Sequence, residues 1–134
     1  GLGGASALAL DPVRPRLYAG RSLNDTGTGA ALGVLQLDAA GGFTWLVDTV
    51  DTGGFQASAV DVDPSGRFVY VLNRCADIAC TGTGSLAVFA VDPVSLALTP
   101  VPGSPFATGA RASTALAVHP SGQIVYVASA LGVG

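Results

Sequence analysis

Arginine, asparagine and aspartate lie close together at two places in this 134-residue chain, and this combination can bind phosphates and carboxylates. The guanidinium group of arginine offers paired donors to two oxygens of such an anion, and a neighbouring amide adds further hydrogen bonds. The same residue types are common in solvated loops, so a ligand-binding role and a role as ordinary loop residues both stay open. The candidate ligand-binding residues are Arg21, Asn24, Asp25, Asn73, Arg74 and Arg111.

Few residues of the chain could catalyse hydrolysis. Cleavage of an ester-type bond needs a nucleophile or activated water, a base, and donors for the developing oxyanion. His119 is the only histidine, and no Gly-x-Ser-x-Gly sequence occurs. Because His119 opens a His-Pro-Ser-Gly segment, at the position where a polar side chain caps a turn, we predict a capping role for it. We assign no catalytic residue.

Cys75 and Cys80 are the only cysteines, with four residues between them. A zinc site would need two further ligands, and a redox pair normally has two intervening residues. A local disulfide and two free thiols remain as interpretations. The five-residue spacing and the Thr-Gly-Thr-Gly segment that follows favour the disulfide. Since stable disulfides are typical of oxidising compartments, this prediction implies a periplasmic or extracellular location.

Composition argues against several classes of partner. The charged residues are six Arg and nine Asp, without Lys or Glu, and the net charge is -3. Because the arginines are scattered and form no basic stripe, nucleic acid is not an expected partner. The two longest uncharged stretches, 93–110 and 112–134, are interrupted by proline, so we expect no membrane-spanning helix in this segment. We expect no metal and no other cofactor, since no ligand set or cofactor motif can be identified.

The chain contains an internal repeat. Residues 5–12, 57–64 and 113–120 align with one another, and each copy ends in a proline. A second block aligns residues 32–38 with 86–92. A tyrosine follows six residues after each of the aligned prolines, namely Tyr18, Tyr70 and Tyr126. Periods near 50 residues are typical of propeller blades or solenoid units.

Each full period is predicted to form four short strands, A to D. In the middle copy they lie near 57–62, 67–72, 86–91 and 96–99. The link 63–66, Asp-Pro-Ser-Gly, has the residues of a type I turn. Strand B is apolar on both faces, which is typical of a strand packed between two sheets. The chain as a whole should therefore contain ten strands and essentially no helix, with the three tyrosines buried at equivalent positions.

Four-stranded units at this spacing fit a β-propeller, and the residues of the repeat carry a family resemblance. They are Asp-Pro-Ser-Gly-Arg-Phe-Val-Tyr-Val-Leu-Asn at 63–73, His-Pro-Ser-Gly-Gln-Ile-Val-Tyr-Val-Ala-Ser at 119–129, and Pro-Gly-Ser-Pro-Phe-Ala-Thr-Gly at 102–109. The chain resembles, over nearly its whole length, the lactonase-type seven-bladed propellers related to 6-phosphogluconolactonase and to the Tyr-Val-Thr-Asn repeat proteins. These turn and core residues indicate the scaffold and contain no catalytic motif to transfer.

The resemblance implies an all-β fold, a β-propeller of about two and a half four-stranded antiparallel blades. Residues 5–56 and 57–112 should form two blades and residues 113–134 a half blade, all within one partial domain over 1–134. A closed ring needs at least four blades. We therefore expect a fragment of a seven-bladed ring, completed by the remaining blades of the same parent chain. Oligomerisation into a ring is disfavoured because the half blade lacks strands C and D.

Propeller geometry assigns the polar residues to two rims. B-to-C and D-to-A connections share one end of the blades, here called the top rim, and the A-to-B and C-to-D turns share the bottom rim. All six candidate ligand-binding residues fall on the top rim, with Gln56, Asp77 and Ser129 nearby. His119 falls on the bottom rim, one strand length or about 20 Å away.

Two functions remain open for the sequence. The resemblance implies hydrolysis of a sugar or other small lactone at the top rim. The alternative is a secreted, non-enzymatic propeller whose rim binds protein or carbohydrate. The predicted disulfide and the lack of a catalytic motif favour binding, whereas the family resemblance favours hydrolysis.

Overall fold

A computed structural model of the chain describes residues 5–21, 29–77, 79–80, 82–109, 113–129 and 132–133. Within these ranges the backbone forms twelve β-strands and no helix, which confirms the all-β prediction. Accordingly, this part of the chain contains no helix with the length and hydrophobicity needed to span a bilayer.

The strands form three antiparallel sheets that follow one another along the chain. Sheet 1 contains β1 (Ala5–Leu10), β2 (Arg16–Arg21), β3 (Ala31–Leu37) and β4 (Phe43–Asp51), in that order. Sheet 2 contains β5 (Phe55–Val62), β6 (Phe68–Cys75), β7 (Ser85–Val91) and β8 (Leu98–Pro100), and β9 (Phe106–Ala107) also pairs with β7. Sheet 3 contains β10 (Ser113–Val118), β11 (Val125–Ser129) and β12 (Gly132–Val133).

The sheets pack face to face through their first strands. β5 contacts both β1 and β10, so the first strands of neighbouring sheets lie side by side, as the inner strands of propeller blades do. The largest hydrophobic core lies between sheets 1 and 2, where Tyr18 and Leu32 pack with Val71 and Phe89. Burial on both faces explains why β6 is apolar on both sides. The arrangement is that of a partial β-propeller, as predicted.

The first two strands of each sheet pair in the same register. The tyrosines face equivalent partners, Tyr18 with Ala9, Tyr70 with Asp61, and Tyr126 with Ala117. Tyr18 and Tyr70 are buried as predicted, with 0% and 8% of their surface exposed, but Tyr126 is 50% exposed. The prediction is wrong for Tyr126 because burial at this position requires a following sheet, and the described residues form none on that face of sheet 3.

The outer strand of sheet 2 differs from the prediction. Leu96 is not in a strand, because its φ is 62° and its N–H donates to the Asp92 carbonyl (2.9 Å) within a turn. The outer strand is instead split, with β8 paired to one end of β7 and β9 to the other. Between them, Ser104 Oγ accepts the Val88 N–H (2.9 Å) in place of a backbone carbonyl. With β9 and β12, the described chain has twelve strands rather than the predicted ten.

The turn between β5 and β6 is held by the side chain of Asp63. Its carboxylate accepts hydrogen bonds from Ser65 Oγ (2.6 Å), the Arg67 N–H (2.6 Å) and the Phe68 N–H (2.9 Å), besides a longer one from the Ser65 N–H. Gly66, with a φ of 72°, donates to the Asp63 carbonyl and closes the turn. Burial alone would raise the pKa of Asp63, but these hydrogen bonds outweigh it and the pKa is lowered.

Side-chain hydrogen bonds also connect the neighbouring sheets. Ser58 Oγ donates to the Ser113 carbonyl (2.9 Å), and the Val118 N–H donates to the Asp61 carboxylate (3.0 Å), so β5 and β10 are joined near both ends. Between sheets 1 and 2, the Arg14 guanidinium donates to the Gly66 carbonyl (2.9 Å). These contacts hold the inner strands, and with them the rims, in a fixed relative position.

Candidate functional site

The top rim is the end of the sheets at which β2, β6 and β11 finish. Arg21, Asn73 and Ser129 occupy the same position in the three sheets, since they pair with the equivalent residues Ala5, Ala57 and Ser113. The fold thus brings three residues that are 52 and 56 positions apart to one edge of neighbouring sheets. The spacing predicted this shared edge.

The candidate residues differ in their access to solvent. Arg21 and Asn73 are buried, whereas Arg74, Gln56 and Asp77 are exposed. Arg74 lies between the buried residues Asn73 and Cys75, so the backbone on both sides of it is held in place. The other candidates, Asn24, Asp25 and Arg111, lie outside the described residues. The exposed arginine that this rim offers to a ligand, within the described ranges, is Arg74.

Asn73 is the centre of a buried hydrogen-bond network. Thr52 Oγ1 donates to Asn73 Oδ1 (2.8 Å), and Asn73 Nδ2 donates to Ser85 Oγ (3.2 Å). Gly54 packs against the same side chain so closely that a Cβ at this position would lie 2.6 Å from it. The Asn73 side chain therefore connects β6 with β7 and with the link between sheets 1 and 2. Asn73 thereby holds this part of the top rim in place.

Thr52 and Ser85 are polar residues of this network that the sequence interpretation missed. Thr52 donates its N–H to the Ala30 carbonyl (3.1 Å), and Thr108 donates its N–H to the Gly84 carbonyl (3.1 Å) in the next sheet. Both threonines are followed by glycine and lie five positions before the aligned residues Ala57 and Ser113 of the inner strands. The repeated Thr-Gly pair was the signal that could have identified Thr52. No comparable signal marks Ser85.

The loop after β6 carries the predicted disulfide. Cys75 and Cys80 are bonded, with their Cα atoms 4.9 Å apart, which confirms the pairing. The Cys80 N–H donates to Asp77 Oδ1 (2.7 Å), and Cys80 has a φ of 56°. The bond and this cap together close a short turn that begins next to Arg74. They fix the course of the chain beside the exposed arginine.

Reduction of this disulfide should lower the free energy of unfolding by at most about 2 kcal/mol, because closing so short a loop removes little entropy from the unfolded chain. Urea unfolding with and without dithiothreitol measures the change, and a Cys75→Ser and Cys80→Ser double variant controls for effects of the reductant. Thiol titration of the denatured, unreduced protein should find no free thiol. Two reactive thiols would contradict the prediction.

His119 lies at the bottom rim and caps a turn, as predicted. Its Nδ1 accepts the Ser121 N–H (3.1 Å), and the Gly122 N–H donates to the His119 carbonyl (2.8 Å). Its ring centre lies 6.4 Å from that of Tyr126. The only histidine of the chain is thus at the opposite end of the sheet from Ser129. Among the residues that the structure describes, no three His, Cys, Asp or Glu side chains converge on a point where a metal could bind.

Two apolar sheet faces remain exposed. On sheet 1, Leu8, Leu10 and Phe43 are each more than half exposed and line a shallow groove. On sheet 3, the exposed ring of Tyr126 lies above Ala115 and Ala117. The corresponding faces between sheets 1 and 2 form the hydrophobic core. The two exposed faces are therefore built like the buried ones.

Comparison with known proteins gives a family and several similar folds. A family model described as "Lactonase, 7-bladed beta-propeller" matches residues 29–131. No curated protein sequence gives a significant match. A structure from Bacteroides uniformis, assigned as a 6-phosphogluconolactonase, has a TM-score of 0.69 at 20% identity and is matched over 91% of this chain and 32% of that chain.

Two further structures have the same fold. A protein from Bacteroides fragilis, also assigned as a 6-phosphogluconolactonase, has a TM-score of 0.68 at 18% identity, over 93% of this chain and 34% of that chain. The periplasmic gluconolactonase of Pseudomonas aeruginosa has a TM-score of 0.64 at 17% identity, over 93% and 36%. At these identities the similarity shows the fold. The chain spans about a third of the length of the structures it matches.

Proposed function

Because the chain belongs to the seven-bladed lactonase propeller family, we propose that it forms part of a ring that hydrolyses a sugar or other small lactone at the top rim. The family match over residues 29–131 is the observation that carries this proposal. The names of two similar structures, a 6-phosphogluconolactonase and a gluconolactonase, agree with a lactone as substrate. The remaining blades of the same parent chain would cover the apolar faces of sheets 1 and 3.

Arg74 is the residue that we propose to bind an anionic group of the substrate. Its guanidinium is exposed, it has no ion pair within the described ranges, and its backbone is held between two buried residues. An exposed guanidinium can bind a phosphate or carboxylate through two parallel hydrogen bonds. Asn73 acts as a positioning residue through its buried network. Arg21, Asn24, Asp25 and Arg111 complete the proposed ligand-binding set.

A non-enzymatic binding platform is the second candidate, and the disulfide favours it. A cross-linked turn next to an exposed arginine gives a rigid surface feature, which suits binding of a protein or a carbohydrate. The disulfide also supports a periplasmic or extracellular location, in line with the periplasmic gluconolactonase among the similar structures. In this alternative the rim residues bind a ligand and leave it unchanged.

Kinetics on two lactones can test the proposed function. We expect the purified parent chain, with its complete ring of blades, to hydrolyse 6-phosphogluconolactone or gluconolactone faster than the spontaneous reaction, measured by proton release. Arg74→Ala should raise KM at least tenfold for the phosphorylated lactone and change it little for the neutral one, because only the phosphorylated lactone has a phosphate that Arg74 could bind. A tenfold change corresponds to about 1.4 kcal/mol, close to the lower end of the range of about 1.5–3 kcal/mol for a hydrogen bond to a charged group.

Arg67→Ala is the matched control, since Arg67 is an exposed arginine on the bottom rim. Its KM should stay at the wild-type value for both lactones. Hydrolysis no faster than the spontaneous rate with every lactone tested would contradict the enzymatic proposal. Hydrolysis with equal KM values for wild type and Arg74→Ala would contradict the role of Arg74 alone.

A further inference from the structure

A buried arginine lies between sheets 1 and 2 at the bottom rim. Arg16 opens β2 and is only 7% exposed, and Tyr18, two residues along the same strand face, is fully buried. The aligned position is apolar in the other two sheets, where Phe68 and Ile124 occupy it. A permanent positive charge at this junction is therefore a feature of the first repeat alone.

The charge on Arg16 has no carboxylate partner in the described parts of the chain. Its Nη1 donates to the Leu96 carbonyl in the turn between β7 and β8 (3.2 Å), which is a neutral acceptor. The nearby Asp11 carboxylate is paired with Arg14 (3.2 Å) and also accepts the Val13 and Arg14 N–H groups. The charges of Asp11 and Arg14 thus balance each other, and the positive charge of Arg16 is left without a partner in this part of the structure.

Two buried donors beside this charge are also without a partner. Among the described residues, neither Arg16 Nε nor the Tyr18 hydroxyl has a hydrogen-bond partner at good distance and angle, although both atoms are shielded from solvent and the Arg16 side chain lies close to the hydroxyl. Burial raises the pKa of Tyr18 more than the neighbouring Arg16 guanidinium lowers it, so the phenol stays protonated and remains a donor. Arginine cannot lose its proton to escape the cost of burial. What the site lacks is an acceptor with a negative charge.

We propose that a small monovalent anion, with chloride as the representative, binds at this junction and accepts hydrogen bonds from Arg16 Nε and the Tyr18 hydroxyl. The anion neutralises the unpaired guanidinium and satisfies two buried donors at once, which removes the two main costs of the site. Because Arg16 also contacts the Leu96 carbonyl, the bound anion strengthens the junction between sheets 1 and 2. The site lies on the bottom rim, away from Arg74, and does not depend on lactone hydrolysis.

Thermal unfolding in mixtures of sodium chloride and sodium fluoride at constant ionic strength tests this site. Fluoride is the more strongly hydrated ion and serves as the non-binding salt. In the wild-type protein the unfolding temperature should rise with the logarithm of the chloride concentration once chloride exceeds its dissociation constant, as expected for a ligand that binds only the folded state. In Arg16→Met this rise should disappear. In Tyr18→Phe, the rise should begin at a several-fold higher chloride concentration.

Arg67→Met is the control, because it removes an exposed arginine from the same rim and should keep the wild-type response. A wild-type unfolding temperature that does not respond to chloride, or an equal response in Arg16→Met, would overturn the proposal. Crystals of the wild-type protein soaked in sodium bromide give a second measurement that does not depend on the variants. An anomalous peak within hydrogen-bond distance of Arg16 Nε and the Tyr18 hydroxyl would support the site, and its absence would refute it.

Discussion

Replacement of Asp63 by alanine should lower the free energy of unfolding by about 2–4 kcal/mol. The wild-type carboxylate accepts four hydrogen bonds from Ser65, Arg67 and Phe68, and three of the donors are backbone N–H groups in the turn that leads into β6. Alanine leaves these donors without their acceptor at a position that is largely closed to water, since Asp63 is only 6% exposed, although Ser65 and Arg67 are themselves exposed. Urea unfolding followed by tryptophan fluorescence or circular dichroism measures the loss.

Asp92→Ala provides the matched control. Asp92 caps the turn after β7 in a similar way, through the Val94 and Ser95 N–H groups, but it is exposed to solvent and water can replace it. The free energy of unfolding should fall clearly less in Asp92→Ala than in Asp63→Ala. If the two variants lost the same stability, burial would not be the cause of the Asp63 effect.

Asp63→Ala should also change the dependence of the free energy of unfolding on pH. The pKa of Asp63 is lower in the folded protein than its ordinary value, so its contribution is present above the unfolded pKa. That contribution is lost as pH falls through the folded pKa. Asp63→Ala should therefore lose less stability than the wild-type protein on acidification. Parallel curves for the two proteins between neutral and acidic pH would contradict this.

Asn73→Ala should be similarly destabilising, by about 2–4 kcal/mol, for a different reason. It removes a fully buried amide that accepts from Thr52 and donates to Ser85, and it leaves a cavity beside Gly54. The effect should appear as a lower urea midpoint with an unchanged slope. Arg74→Ala, at the next residue, removes an exposed side chain and should change stability by no more than about 0.5 kcal/mol.

This pair of variants separates a positioning role from a ligand-binding role on the same strand. We expect Asn73→Ala to act on stability and Arg74→Ala to act on KM. If Asn73→Ala kept the wild-type stability and raised KM, Asn73 would be a direct ligand contact rather than the centre of a buried network.

Local patterns in the sequence determined the turns, the strand order and the disulfide. The Asp63 turn, the His119 cap and the bond between Cys75 and Cys80 were predicted because each depends on residues within about five positions of one another. The register of the three tyrosines followed from the repeat. The family resemblance likewise indicated the propeller scaffold, because turn and core residues carry it.

The packing of one sheet on the next decided which side chains are buried. Asn73 and Arg74 are equally polar neighbours, yet one is buried and the other exposed, because Gly54 and Thr52 of the preceding link cover only Asn73. Tyr126 is exposed although Tyr18 is not, since burial at that position depends on a following sheet. Arg16 is buried and donates to the carbonyl of Leu96, 80 residues away. Such burial depends on residues far apart in the chain, and short-range spacing cannot show it.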